Sequence, residues 1–300
     1  MKLLVTGAWK NAREHLNEIE KLGHEIIFMQ DESDELPCAY EAVEGVICNG
    51  LFLHHEIERF TSLRYIQLTS AGLDRIPTDY VGAHGIKVNN ARGVYSIPMA
   101  EFAVSGVLQL YKKTCYFYEN QKKKIWKKNT DALELFGKTV AVIGCGSVGF
   151  ECAKHFSVFG CRVIGVDLFP ATKYEYYEKI HPISDMDDVL SVSDIIVLTL
   201  PLTSETRNMM NCGRFAIMKK SAVLVNIARG ALIDEEALIR ALDGGLMGAV
   251  LDVFWDEPLP QKSPLWEKEN VIVTPHNSFV GEGNAERLWR VIYGNLESLL

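Results

Sequence analysis

Residues 138–149, KTVAVIGCGSVG, are the stretch from which the fold can be predicted. Thr139 to Ile143 is an apolar run of strand length that leads directly into three glycines. Apolar residues then recur at helical spacing as far as Gly160, and Arg162 to Val166 predicts a second buried strand that ends at Asp167. A strand, a glycine turn, a helix, a strand and an acidic residue in this order form the dinucleotide-binding pattern of a doubly wound parallel sheet.

Each residue of the glycine turn has a predicted task. Gly144 permits the tight turn, Gly146 lets a pyrophosphate approach the backbone, and Gly149 lets the helix pack close to the strand. The amides of Ser147, Val148 and Gly149 are expected to face the phosphates at the positive end of the helix. The alternative, a glycine-rich loop that serves only as a turn, leaves the two flanking strands and the acid unexplained.

Asp167 indicates which dinucleotide binds. Its carboxylate can accept hydrogen bonds from the two ribose hydroxyls of an adenosine and would repel a 2′-phosphate. The next residues, Leu168 and Phe169, offer no cation for such a phosphate. We therefore predict NAD as the cofactor rather than NADP.

Composition limits the classes of function. Three hundred residues predict about two domains, and a net charge of −8 argues against a general nucleic-acid-binding protein. The basic run at 122–128, KKKIWKK, is interpreted as a solvated helix end and linker.

The cysteines and the hydropathy pattern indicate a cellular location. The seven cysteines lack paired spacing, which favours a reducing cytoplasm over a disulfide framework. We expect no signal peptide, because Met1 leads straight into a strand, and no membrane span, because no apolar run reaches about 18 residues.

Strands alternate with helices along the whole chain, which predicts βαβ units and parallel sheets. In the first part we predict strands at Lys2–Thr6, His24–Met29, Gly45–Cys48, Arg64–Leu68 and Ile86–Asn89, and a helix at Asn11–Leu22. Beyond Asp167 we predict helices at Met186–Ser191 and Asp234–Leu242, and strands at Asp194–Pro201, Ala222–Asn226, Met247–Asp252 and Val271–Thr274.

A final amphipathic helix, Glu282–Leu300, is predicted to return and cover the first sheet. The sequence therefore predicts a substrate domain of residues 1–94 plus 280–300, with an NAD-binding domain of residues 95–279 inserted into it.

The helix that is predicted to begin at Ser96 is unusually apolar. Ser96 is predicted to cap it, with Pro98 in its first turn. From Met99 to Tyr111 its only charge is Glu101, so we expect it to lie between domains or against another subunit. A homodimer is the favoured interpretation.

Polar residues follow successive strands of the inserted domain. Arg229, Asp252, Glu257 and His276 come at strand ends on the same edge as the glycine turn, so they are expected to converge on the nicotinamide. His276 can donate the proton that ketone reduction needs, and Glu257 can orient its imidazole. Arg229 offers a bidentate fork for a carboxylate.

Competing interpretations exist for single residues, because a histidine after a strand is often structural. Asn90-Ala-Arg92-Gly93 is similar to Asn226-Ile-Ala-Arg229-Gly230, but Arg229 shares an edge with the dinucleotide turn. The pair His54-His55 has no acidic or cysteine companion at ligand spacing and is interpreted as surface, and no metal site is predicted.

Longer segments resemble one known family, the D-isomer-specific 2-hydroxyacid dehydrogenases. The resemblance rests on GCGSVG with Asp167, TLPLTSETRNMM (199–210), NIARGALIDEEAL (226–238), LDVFWDEP (251–258) and TPHNS (274–278), in family order. It extends from SAGLD (70–74) and RGVYSIPMAEF (92–102) to the closing helix, and so covers nearly the whole chain.

This resemblance implies two flavodoxin-like or Rossmann-like domains, a dimer, and NAD(H)-dependent interconversion of a 2-oxo acid and a D-2-hydroxy acid. It implies that Arg229 binds the substrate carboxylate and carbonyl and that Glu257 and His276 form the acid/base pair. It also implies a substrate loop at Ala71 and Gly72. Further implied cofactor contacts are Leu200, Pro201, Thr206, Ile227, Ala228, Arg229, Asp252 and His276.

Two questions stay open at this point. A nucleotide-sensing binding protein, like the corepressors that share this fold and the Arg-Glu-His triad, is the alternative to an enzyme. The substrate itself is not specified: apolar residues in the loop Asn49–Phe52, near Tyr95 and at Phe279 indicate a pocket for an alkyl or aromatic side chain.

Overall fold

The protein is described by a computed structural model that covers residues 1–170 and 175–299. The chain divides into two compact units, Met1–Tyr95 with Gly281–Leu300, and Ser96–Val280. The domain bounds expected from the sequence differ from these by one residue at each junction. Leu300, the last residue of the predicted final helix, lies outside the described residues.

The first unit is built on a five-stranded sheet. Its elements in chain order are β1 (Lys2–Thr6), α1 (Ala12–Lys21), β2 (Glu25–Met29), β3 (Gly45–Cys48), β4 (Tyr65–Leu68), α2 (Thr78–Ala83), β5 (Lys87–Asn89) and a last helix, Asn284–Glu297. The strand order is β2-β1-β3-β4-β5, and every pair is parallel.

Each face of this sheet buries a separate hydrophobic core. Leu3 and Val5 of β1 pack on the face that is covered by Ile19 of α1 and Ile292 of the last helix. Leu4 points to the opposite face, as the two-residue repeat of a strand requires. The last helix therefore covers the first sheet beside α1.

The second unit is built on a seven-stranded sheet. Its elements are α3 (Ser96–Tyr111), α4 (Thr114–Lys122), β6 (Thr139–Ile143), α5 (Ser147–Val158), β7 (Arg162–Asp167), β8 (Lys179–Pro182), α6 (Met186–Val192), β9 (Ile195–Leu198), α7 (Cys212–Ile217), β10 (Val223–Asn226), α8 (Glu235–Asp243), β11 (Gly248–Leu251) and β12 (Val271–Val273). The last helix of the chain, in the first unit, is thus α9. The strand order is β12-β11-β10-β9-β6-β7-β8, again all parallel.

Strand β6 is buried along its whole length, which explains why Val140 to Ile143 are all apolar. Val140 and Val142 contribute to the core that includes α3 and α5, whereas Ala141 and Ile143 contribute to the core that includes α6 and α8. Helices cover both faces, so no polar face is needed. The prediction of two doubly wound parallel sheets is confirmed.

The strand order reverses at β6: β7 and β8 lie on one side, and β9 to β12 on the other. Ligands of open α/β sheets bind outside the carboxyl ends of the strands at such a reversal. Because all seven strands are parallel, the segments after β6, β10, β11 and β12 lie at one edge. These segments carry most of the predicted site residues.

One prediction for α3 needs correction, and a second, its place between domains or subunits, stays a prediction. Ser96 is the first helical residue rather than a cap, and its buried Oγ has no hydrogen-bond partner among the described residues. The apolar surface of α3 is largely covered within the second unit, by α5, β10 and β11. The exposed residues of the helix are Glu101 and Ser105, so its composition alone does not require a second subunit.

Among the described residues, no helix combines the length and the apolar character that crossing a bilayer requires. All seven cysteines are unpaired.

Candidate active site

The glycine turn between β6 and α5 has the geometry of a phosphate cradle. Gly144 has a φ of +99°, and a Cβ at Gly149 would lie 2.0 Å from the Gly144 carbonyl oxygen. A Cβ at Gly146 would meet no atom within 4 Å, so the space in front of this residue is open. The first amides of α5, from Ser147 onward, have no intrahelical acceptor. Open space beside free helix N-terminal amides fits a pyrophosphate.

Asp167, at the end of β7, is held directly over this turn. One carboxylate oxygen accepts a hydrogen bond from the Cys145 amide at 2.6 Å, and the other accepts one from the Phe169 amide at 3.0 Å. Each oxygen keeps further lone pairs, so the carboxylate can still accept from ribose hydroxyls. The Cys145 thiol is inert here, because burial raises its pKa to about 12.

The segment after β9 lines the other side of the turn. A Cβ at Gly144 would lie 2.9 Å from the Leu200 nitrogen, so the two backbones are in contact. Pro201 is exposed, and its carbonyl accepts a hydrogen bond from Thr206 Oγ1 at 2.8 Å. Thr206 also accepts from the Thr203 amide at 2.7 Å. The hydrogen bonds of Thr206 thus stabilise the loop that contains Leu200 and Pro201.

Arg229 is presented by a turn after β10. Asn226, fully buried, accepts a hydrogen bond from the Ala228 amide at 3.1 Å and donates one to the Arg229 carbonyl at 2.9 Å. Ile227 and Ala228 are buried, so their predicted contacts with the cofactor stay a prediction. The Arg229 guanidinium donates to the Ala228 carbonyl at 2.8 Å. Sequence reasoning missed Asn226, although it begins the motif.

The turn with Arg229 is packed against the loop that carries Glu257. A Cβ at Gly230 would lie 1.9 Å from the carbonyl carbon of Phe254. Trp255 Nε1 donates a hydrogen bond to the Ile233 carbonyl at 2.8 Å. Only glycine fits at position 230, and the two loops are locked together.

The structure brings Glu257 and His276 together. Glu257 Oε2 lies 2.8 Å from His276 Nδ1, and its Oε1 accepts a hydrogen bond from the Phe254 amide at 3.0 Å. The imidazole is thereby oriented through Nδ1, which leaves Nε2 for a reacting group. Both side chains are partly exposed, His276 by 43%.

Asp252 holds the loop on which His276 lies. Its buried carboxylate accepts hydrogen bonds from Thr274 Oγ1 at 2.7 Å and from the amides of Asn277 and Ser278 at 2.7 and 2.9 Å. Its carbonyl accepts from the His276 amide at 2.8 Å. A contact between Asp252 and the nicotinamide stays a prediction; the observed bonds fix the histidine loop.

We expect Asp252→Asn to destabilise the second unit by about 1–3 kcal/mol, because the NH2 group of asparagine cannot accept the hydrogen bonds that one of the two carboxylate oxygens now accepts. Urea denaturation of wild type and variant measures the change. Thr274→Val, which removes only one of these hydrogen bonds, is the matched control and should cost less. Equal midpoints for wild type and Asp252→Asn would contradict this account.

The predicted substrate loop lies in the first unit. Asn90 Nδ2 donates to the Ala71 carbonyl at 2.6 Å, and Ser70 Oγ donates to the Gly72 carbonyl at 3.1 Å. Within the described part of the chain, the amides of Ala71 and Gly72 have no hydrogen-bond partner. Two such amides can donate hydrogen bonds to a carboxylate oxygen.

Two other predictions are wrong. His55 is buried rather than on the surface, since its ring nitrogens contact the Tyr40 hydroxyl and the Glu32 carbonyl, both at 2.9 Å. Leu51 is also fully buried in the core, so it cannot line a substrate pocket. No group of three His, Cys, Asp or Glu side chains that could hold a metal ion occurs in residues 1–170 and 175–299.

Comparison with known proteins agrees with this geometry. Residues 104–278 match the family model described as D-isomer specific 2-hydroxyacid dehydrogenase, NAD binding domain. The chain is 34% identical over 257 residues to glyoxylate/hydroxypyruvate reductase B of Serratia proteamaculans, which covers 82% of this chain and 78% of that protein. It is also 34% identical over 250 residues to D-3-phosphoglycerate dehydrogenase of Methanocaldococcus jannaschii, covering 80% of this chain.

The chain spans about half (48%) of the length of that phosphoglycerate dehydrogenase. Among solved structures, D-lactate dehydrogenase from Aquifex aeolicus, complexed with NAD and lactic acid, matches with a TM-score of 0.81 at 27% identity. The match covers 99% of this chain and 95% of the lactate dehydrogenase.

Proposed function

Because the chain belongs to the D-isomer specific 2-hydroxyacid dehydrogenase family and has its NAD-binding domain, we propose that it interconverts a 2-oxo acid and a D-2-hydroxy acid by hydride transfer with NAD(H). The observation that carries this proposal is the contact of 2.8 Å between Glu257 and His276 on the sheet edge of the glycine turn. This pair supplies the oriented proton donor that reduction of a ketone requires.

The distance across the sheet from the glycine turn to His276 is suited to an extended dinucleotide. Asp167 ends β7, the glycine turn follows β6, and His276 follows β12. Four strand spacings separate β6 from β12, or roughly 19 Å at about 4.8 Å each. Adenosine at Asp167 and pyrophosphate at the glycine turn would therefore direct the nicotinamide toward Arg229 and His276.

In the proposed reduction, bound NADH supplies the hydride to the carbonyl carbon. His276 gives its Nε2 proton to the carbonyl oxygen, and it takes the proton back when a hydroxy acid is oxidised. Glu257 holds the imidazole through Nδ1, which leaves Nε2 available to the carbonyl oxygen. Arg229 binds the carboxylate through the two nitrogens of its guanidinium group.

The proposal is tested by assaying 2-oxo acids of increasing side-chain size, from glyoxylate upward, with NADH and with NADPH. We expect turnover that requires NADH, and a lower KM for NADH than for NADPH because of Asp167. Binding of NADH without turnover of any 2-oxo acid would instead indicate the nucleotide-sensing protein. A lower KM for NADPH would contradict the predicted role of Asp167.

We also propose that two copies of the chain form a dimer through the segment between α4 and β6. Its apolar side chains are unusually exposed: Ile125 by 47%, Trp126 completely and Phe136 by 77%. Aromatic residues are typical of interface cores. The lysine run at 122–128 is complementary to a second chain of net charge −8.

Sedimentation velocity tests the dimer. Wild type is expected to sediment as a dimer at micromolar concentration, and Trp126→Ser should raise its dissociation constant at least about tenfold, as loss of an interface aromatic does. Trp266→Ser is the matched control, since Trp266 is 53% exposed elsewhere in the same unit. A monomeric wild type, or an unaffected Trp126→Ser dimer, would contradict the proposal.

A further inference from the structure

The first unit contains an open cavity that the proposed reaction does not use. It has a volume of about 530 Å³ and lies between the edge strand β5 and α9. This volume falls within the range of sites for small molecules, roughly 300–1,000 Å³. Ala71 and Gly72, the predicted substrate loop, do not line it.

Two arginines line the cavity, Arg92 and Arg290. Arg290 pairs with Glu286 one helical turn away at 2.8 Å, and both side chains are exposed, so this pair contributes little. The guanidinium of Arg92 makes no hydrogen bond or ion pair with any described residue. The cavity therefore has an excess of positive charge in a form suited to carboxylates.

A buried polar network fixes amide groups at the cavity wall. Asn295 donates to Gln67 Oε1 at 2.8 Å, and Asn89 donates to the Tyr65 hydroxyl at 3.3 Å. Tyr65 in turn donates to Gln67 at 3.0 Å, and both of these residues are buried. Burial raises the pKa of Tyr65 to about 12, so its hydroxyl stays a neutral donor. Hydrogen bonds within this network therefore fix the side chains of Asn89 and Asn295.

Gly294 keeps the cavity open. It lies inside α9, where glycine costs about 1 kcal/mol relative to alanine. A Cβ there would meet no atom within 4 Å, so packing does not require the glycine. A side chain at this position would instead occupy the cavity, of which Gly294 forms part of the wall.

Arg92 and the predicted substrate arginine both lie at an Asx turn that begins at an asparagine. Asn90 Oδ1 accepts a hydrogen bond from the Arg92 amide at 3.2 Å, as Asn226 Oδ1 does from the Ala228 amide at 3.1 Å. Asn90 directly follows β5 and Asn226 is the last residue of β10, and each forms an Asx turn with the residue two positions later. The two similar motifs of the sequence thus form similar turns, one in each unit.

We propose that this cavity binds a small organic carboxylate with a short branched aliphatic chain. Its carboxylate would lie between Arg92 and Arg290, and its chain against Leu73, Val88 and Val291. The Asn90 side chain connects the site to the Ala71 carbonyl at 2.6 Å. Occupancy should therefore change the KM for a 2-oxo acid more than kcat, a readout that rests on the proposed function.

Calorimetric titration of the whole protein, without cofactor or substrate, tests the site independently of the reaction. The probes are 4-methylpentanoate and inorganic phosphate. We expect saturable binding of 4-methylpentanoate at one site in the millimolar range, and weaker binding of phosphate. Arg229→Gln should bind the probe as wild type does, because this variant alters only the proposed substrate site.

Arg92→Gln combined with Arg290→Gln should weaken probe binding at least about tenfold, and Gly294→Met should abolish it. Gly294→Ala controls for helix propensity, and Arg64→Gln removes an exposed arginine elsewhere in the same unit. Wild-type affinity in Gly294→Met or in the double variant, loss of binding in Arg229→Gln, or tighter binding of phosphate would overturn the proposal. Thermal melts of each variant establish that it is folded.

Discussion

Replacement of His276 by alanine is expected to lower kcat for 2-oxo acid reduction by about 10²- to 10⁴-fold, the usual contribution of a positioned proton donor. The dissociation constant of NADH, measured by its fluorescence, should stay near the wild-type value. The glycine turn and Asp167, which are proposed to hold the cofactor, do not depend on the imidazole.

His155→Ala is the matched control, because His155 also lies beside a carboxylate, Glu151, in the same unit but on helix α5. Its kcat should equal that of wild type. Glu257→Gln should fall between the two histidine variants, since glutamine can still accept from Nδ1 without a charge. Full activity of His276→Ala would exclude the imidazole as the proton donor.

Replacement of Arg229 by glutamine is expected to lower kcat/KM by roughly 10²- to 10⁴-fold. Two charge-assisted hydrogen bonds to the substrate carboxylate, at about 1.5–3 kcal/mol each, correspond to this range. Arg229→Lys should recover only part of the loss, because an ammonium group keeps the charge but not the planar fork. Steady-state kinetics with a single 2-oxo acid give the comparison.

Arg162→Gln serves as the control for Arg229, because it removes an exposed arginine, paired with Glu178, from the same unit. Equal kcat/KM values for Arg229→Gln and wild type would show that the carboxylate is bound elsewhere. An effect on KM alone would assign Arg229 to substrate binding without a part in the transition state.

The buried central strands were predictable, because their apolar runs are continuous and helices cover both faces. The strands Lys2–Thr6, Gly45–Cys48 and Thr139–Ile143 were predicted with the bounds that the structure has. Strand β8, Lys179–Pro182, was not predicted, because it lies at the sheet edge and carries polar residues and a proline. Edge strands lack the hydrophobic signal on which such predictions depend.

The proximity of Glu257 and His276 could be inferred from parallel strands whose ends share one edge. The supporting contacts could not, because they join positions distant in sequence. Asp252 bonds to residues 274–278, more than twenty positions away, and His55 is buried by partners at positions 32 and 40. Nothing in the local pattern around these residues specifies such partners.

The close contact between Gly230 and Phe254 has a consequence for how this protein can diversify. Since a single added methyl group would overlap the Phe254 backbone, a change in one of these loops must be matched by a change in the other. Directed evolution toward new substrates should therefore accumulate its first successful replacements outside this pair of loops. The exposed segment around Leu53, at 64% exposure, carries no comparable steric restriction and offers a starting point for a mutant library.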